Sequence, residues 1–174
     1  LHVRSRRQRQ MCIRDRLIIM KKLIAYFSPS GNTKAMAEKL AKATGADLFE
    51  IKPQTPYTRA DLDWTNKNSR SSVEMNDKSY RPQIAQLPNS LANYDTIFIG
   101  FPIWWYVAPT IINTFVENVD LDGKKVIPFA TSGGSGMGKT LANLKPSCPG
   151  ANWVEGKVIN GMSEKALADW AEKL

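Results

Sequence analysis

The chain reads as an α/β protein, a parallel sheet with helices on both faces. Three observations predict this. Short apolar, β-branched runs recur along the chain, and stretches with helical periodicity alternate with them. The first run, residues 23–27, is apolar without alternation, the pattern of a strand buried on both faces. At 174 residues the chain has the length of one domain with a single good core.

The elements follow in order. The first strand (LIAYF) ends at the hydroxyl-rich turn SPSGNT, and residues 34–45 then place Ala35, Met36, Leu40 and Ala43 on one helical face. Residues 46–51 alternate enough for a second strand at the sheet edge, closed by Pro53 and Pro56. Residues 57–82 are polar, with Tyr57, Trp64 and Tyr80 spaced through them. A helix is expected over 57–67 and loop from there to Pro82, a crossover longer than a simple connection. Residues 84–91 are expected to carry a short helix. Residues 95–100 (DTIFIG) form the third strand. Pro109 opens a helix that buries Ile111, Ile112, Phe115 and Val116. The fourth strand is residues 125–130, a short helix covers 140–144, and the fifth strand is residues 153–159. Ser163 caps a terminal helix that turns Ala166, Leu167 and Trp170 inward.

Charge and composition exclude several functions. The net charge is +8, but residues 1–20 alone carry six Arg and one Asp; the remainder holds 18 basic and 15 acidic residues, net +3. The basic balance is therefore a property of a tail, and no nucleic-acid partner is expected. That tail lacks periodicity, and its MCIRDR resembles translated sequencing-adaptor read-through. Residues 1–19 are read as a non-native or disordered basic tail and residues 20–174 as the domain, with Met20 as its start. Setting the tail aside removes the one histidine, His2, and one of two cysteines, Cys12. Zinc sites, Ser-His-Asp chemistry and structural disulfides then lack their residues, so no metal and no catalytic side chain is expected. No apolar run approaches the roughly 20 residues of a membrane span. A cytoplasmic protein is expected, a monomer or homodimer.

Three loops carry the chemistry. In a doubly wound sheet the exits of strands one, three and four lie side by side. The first is Ser28, Pro29, Ser30, Gly31, Asn32 and Thr33, where free backbone N–H groups at a helix N-terminus and neighbouring hydroxyls form an anion site. The second is GFPIWWYVAP, whose Pro102, Ile103, Trp104, Trp105 and Tyr106 put large rings on a loop where a flat ligand would cover them. The third, Thr131, Ser132, Gly133, Gly134 and Ser135, lets backbone amides approach a ligand closely.

Ser28-x-Ser30-Gly31-x-Thr33 resembles the phosphate loop of the flavodoxin family, [ST]-x-[ST]-G-x-T, and the resemblance extends over residues 20–174. It implies a flavodoxin-like three-layer α/β/α sandwich of the short-chain type, with a five-stranded parallel sheet of order 2-1-3-4-5. It also implies FMN as cofactor, its phosphate held by Ser28, Ser30, Gly31, Asn32 and Thr33 and its ring between residues 102–106 and 131–135. Of the two tryptophans, Trp104 is expected to face the ring and the other to be buried.

The implied function is an electron carrier between a reductase and an acceptor, with redox proteins or a small-molecule acceptor as partners. Known flavodoxins are strongly acidic, whereas neither ring loop here contains Asp or Glu. That departure suits the alternative, an FMN-dependent NAD(P)H:quinone or small-molecule oxidoreductase on the same fold. A third class is a binding module that has lost its cofactor; the intact SPSGNT loop argues against it. Residues 133–140, GGSGMGKT, also satisfy the nucleotide-binding pattern G-x-x-x-x-G-K-[ST]. Too little chain follows for an NTPase, and no later strand ends in the Asp that would hold magnesium.

Overall fold

The computed structural model describes residues 21–174; the basic tail and Met20 lie outside the described residues. Strands β1 (Lys21–Tyr26), β2 (Asp47–Glu50), β3 (Tyr94–Pro102) and β4 (Lys125–Thr131) pair in parallel in the order β2-β1-β3-β4. Two short strands, β5 (Asn152–Trp153) and β6 (Lys157–Val158), pair with β4 at the far edge. This is the expected 2-1-3-4-5 order, with the fifth position shared by two segments rather than filled by one strand over 153–159.

The two-faced burial read from β1 is what builds the layers. Leu23, Ala25 and Phe27 point to one side with Ile97, Ile99 and Phe101. There they pack on Ile111, Ile112 and Phe115 of α3 (Thr110–Asn118) and Leu144 of α4 (Thr140–Leu144). Ile24 and Tyr26 point the other way with Phe98, Ile127 and Phe129. They meet Met36, Ala37 and Leu40 of α1 (Asn32–Thr44) and Leu167 of α5 (Glu164–Glu172). Gly100 stands opposite Phe129 in the ladder, and a Cβ there would lie within 2.2 Å of that ring, so only glycine lets Phe129 fill its place.

The fifth strand is divided for a reason found in its neighbour. The carbonyls of Lys124, Val126 and Ala130 accept N–H groups of Asn152, Val154 and Ile159, so alternate residues of this stretch, Pro128 among them, face the sheet edge. Pro128 has no N–H to offer, and the ladder lapses beside it. Gly156 packs directly against the Pro128 carbonyl in the gap.

Residues 57–82 depart from expectation. The expected helix over 57–67 is a series of turns. The Thr58 N–H donates to Asp61 Oδ2 and the Asp61 N–H to Thr58 Oγ1, local bonds that compete with helix. The helix comes later, as α2 (Arg70–Asn76), capped by Ser69. Residues 84–91 are not helical either. The chain around Ile84 bridges antiparallel to Pro53, with Gln54 N–H donating to the Gln83 carbonyl and Ala85 N–H to that of Lys52.

Candidate functional site

The turn after β1 is built almost wholly from backbone. Gly31 sits at φ 91°, in the left-handed region that favours glycine, and the chain passes through it into α1. The first helical bond runs from Ala35 N–H to the Gly31 carbonyl, and the Lys34 N–H is taken by Ser28 Oγ at 2.9 Å. The N–H groups of Ser30, Gly31, Asn32 and Thr33 have no partner among the described residues. With no acidic residue in the first turn of α1, these donors lie at the positive end of a 13-residue helix, with Ser30, Gly31 and Asn32 exposed there. Ser28, having accepted a bond, keeps its own proton to give.

Thr33 behaves differently from the other hydroxyls. It is buried, and its Oγ1 lies 2.8 Å from Thr131 Oγ1, at the end of β4. Thr131 also receives the Ile103 N–H on its carbonyl at 2.9 Å. One residue therefore fastens all three loops: its side chain holds the first, its main chain holds the second, and its own strand leads into the third.

A cleft of about 490 Å³ lies between the second and third loops, walled by residues 103–106 on one side and 132–135 on the other. The expected ring-binding segments are thus brought together, while Pro102 and Thr131 stand behind them as strand ends. Trp104 and Val107 exchange backbone hydrogen bonds, closing a two-residue turn whose central residues, Trp105 and Tyr106, have φ values of 50° and 66°. Such turns are usually made with Asn or Gly. Bulky residues held there carry strain, and strain of this kind gathers at ligand-binding sites. Both tryptophans line the cleft. Trp104 is half-buried, edge-on to Phe27 and Tyr57, whereas Trp105 is 45% and Tyr106 68% exposed. Trp105 is thus the more exposed of the two, and the expectation that the tryptophan beside Trp104 is buried does not hold.

The third loop is less free than its glycines suggest. Ser132 Oγ accepts the N–H groups of Gly134 and Ser135, and Ser132 pairs its main-chain N–H and C=O with the side-chain amide of Asn160. Gly133 N–H has no partner among the described residues. The P-loop reading fails here on geometry: Thr140 is fully buried and gives its hydroxyl to the Met137 carbonyl, and α4 is only five residues long.

Sequence reasoning missed the third wall. Leu62, Trp64 and Ser71, from the polar stretch 57–82, complete the cleft. Trp64, 74% exposed, was the visible signal, a large ring in a polar run. The segment is anchored by Glu74, which is 2% exposed: Tyr57 donates its hydroxyl to Oε2, and Arg70 donates Nε to Oε1 at 3.0 Å. The Arg70 guanidinium also lies 3.8 Å over the Tyr57 ring. Burial first, then the bond to Glu74, pushes the Tyr57 hydroxyl far above its ordinary range, so it stays protonated.

Residues 21–174 match the family model for flavodoxin. The chain is similar to a candidate flavoprotein from Bacteroides eggerthii DSM 20697, with 54% identity over 88% of this chain and 96% of that one, TM-score 0.85. It is also similar to a flavoprotein in complex with FMN from Lactobacillus acidophilus NCFM, with 28% identity over 79% and 91% of the chains, TM-score 0.62. Among curated proteins it resembles the uncharacterized NAD(P)H oxidoreductase YcaK of Escherichia coli (strain K12), 30% identical over 98 residues. That match takes in 56% of this chain and 45% of the relative, so the chain spans about half the length of the curated protein it matches.

Proposed function

The chain belongs to the flavodoxin family, and from that premise we propose that it is an FMN-binding redox protein passing electrons between a reductase and an acceptor. The observation that carries this reading is the junction at Thr131, where an anion-binding turn, an aromatic hairpin and a glycine-rich loop are tied together.

The residues fit FMN. The unpartnered N–H groups of Ser30, Gly31, Asn32 and Thr33 suit a phosphate without any cationic side chain, and the Ser28 hydroxyl adds a donor. A cleft of about 490 Å³ with aromatic walls suits a flat ring system. FMN, when bound, supplies the electron-carrying chemistry. The chain's own work is to bind, orient and shield. Trp105 and Tyr106 cover one side, Gly133 N–H is a free donor on the other, and Trp64 and Leu62 reduce the access of water.

A second reading, an FMN-dependent NAD(P)H:quinone or small-molecule oxidoreductase, is supported by the likeness to the Escherichia coli protein and by the extra wall from residues 62–71. Redox proteins would be the partners in the first case and a small-molecule acceptor in the second. No helix among the described residues is long and apolar enough to cross a membrane. A cytoplasmic location belongs to the same proposal and rests on the cysteine-poor sequence.

The test is an FMN titration of the purified protein followed by tryptophan fluorescence and visible absorption. Strong quenching with one FMN per chain is expected; quenching by FAD alone would refute the phosphate assignment. NAD(P)H oxidation by the loaded protein without any partner would favour the oxidoreductase, and electron passage only through a partner reductase would favour the carrier.

A further inference from the structure

We propose that the protein holds a second small-molecule site, for a flat aromatic anion bearing a hydroxyl or carbonyl, in a separate cavity bordered by the same aromatic hairpin. This cavity, about 760 Å³, lies between α2, α3 and α4 and shares only Trp105 and Tyr106 with the ring cleft. It stands independently of the flavin reading, because none of its polar groups belongs to the three loops' donor set.

Three features define the ligand. First, Thr110 at the start of α3 is 6% exposed, and its Oγ1 is buried with no partner. Buried hydroxyls are normally satisfied, so one left over on a cavity wall points to a group that pairs with it. One turn on, Asn113 is also buried and lines the same wall. Its amide nitrogen is occupied by the Asn143 carbonyl and Ser147 Oγ, which leaves its carbonyl oxygen as an acceptor. Second, Met75, Val107 and Leu144 beside the two rings give an apolar body to the cavity, suited to a planar hydrocarbon skeleton. Third, the charge at its edge is positive. Arg81 is already engaged with Glu117 through Nε at 2.9 Å, while Lys78 and Lys139 form no ion pair among the described residues. A hydroxyl or carbonyl for Thr110 and Asn113, fused rings for the apolar wall, and a carboxylate or equivalent anion for the lysines together specify the class.

The probe is 3-hydroxy-2-naphthoate, titrated calorimetrically into the protein with and without saturating FMN, with 2-naphthol as the analogue lacking the carboxylate. Micromolar binding is expected, unchanged by FMN and about tenfold weaker for 2-naphthol. Ala142→Trp, which fills the cavity from α4, should weaken the probe more than tenfold and leave FMN affinity unaltered. Should Ala142→Trp fail to fold, the shape-conserving Thr110→Val and the pair Lys78→Gln/Lys139→Gln carry the test. The first should weaken both naphthyl ligands about fivefold and the second should erase the preference for the carboxylate, with FMN affinity unaltered in each. Competition between probe and FMN, or wild-type affinity in these variants, would overturn the proposal. Loss of FMN binding with probe binding intact would sink the flavin reading alone.

Discussion

The first loop and the ring cleft solve the same problem with opposite materials. SPSGNT is contiguous in sequence, and its donors are main-chain N–H groups set by one left-handed glycine and a helix start. The cleft is assembled from three separate segments, and two of its walls are side chains held by a strained hairpin and a buried ionic anchor. A backbone-made site should tolerate side-chain replacement and fail when the backbone is forced. A side-chain-made site should fail when its anchors are cut.

The sharpest way to test that contrast is Glu74→Ala. It leaves the Tyr57 hydroxyl and the Arg70 guanidinium without their shared acceptor. Removing one partner of a buried charge pair costs about 3–5 kcal/mol. Urea unfolding should register a loss at the lower end of that range, because Arg70 is partly exposed, and the ring cleft should lose FMN while the first loop still binds inorganic phosphate. The same anchor sets an alkaline limit. Because the Tyr57 hydroxyl is raised above its ordinary 10.0, folding opposes its ionisation. Its contribution is intact below pH 10 and lost as the pH rises beyond it. Tyr57→Phe should flatten, though not abolish, the fall in stability above pH 10, since Tyr26 and Tyr94 are raised as well.

Next in size is Gly31→Val. Nothing lies within 4 Å of the place a Cβ would take, so the penalty is conformational: about 1–2 kcal/mol for a left-handed non-glycine residue. An FMN affinity loss of about tenfold, the equivalent of 1.4 kcal/mol, should accompany it. Tyr106→Gly works in the other direction. It relieves a left-handed bulky residue that is mostly exposed, so thermal stability should rise by about 1 kcal/mol while FMN binding weakens. The smallest effect belongs to Ser30→Ala, which spares every backbone donor of the loop. FMN affinity within about threefold of wild type is expected by titration; a hundredfold loss would mean that the site is made of hydroxyls after all.

The contrast also explains what could be read from sequence. The SPSGNT turn was legible because both its structure and its chemistry are local. The sheet order followed from the family resemblance that this turn carries, while the apolar runs at 23–27 and 97–99 marked only the central strands. The crossover was not legible. Helix α2 buries Ser71, Ser72 and Glu74, so its inward face is polar and carries no apolar periodicity to detect. Arg70 pairs with Glu74 within the helix, but Tyr57, from outside it, reaches Glu74 only after folding. Trp104 and Trp105 are adjacent and identical in type, so only the left-handed backbone tells which one is left exposed. The break in the fifth strand was written in another strand, at Pro128, and pairing had to be known before it mattered.

That break has a consequence for life at high concentration. A sheet edge is a template on which a second chain can add a strand, and the danger grows with the length of uninterrupted edge. Beside Pro128 the outer rim is offered two residues at a time, as Asn152–Trp153 and Lys157–Val158, with a glycine-bearing gap between. The opposite rim is the four-residue β2, which carries an acidic residue at each end. Neither rim among the described residues offers more than four residues of ladder at a stretch, so the proline that interrupts the sheet also shortens the edge on which a further strand could pair.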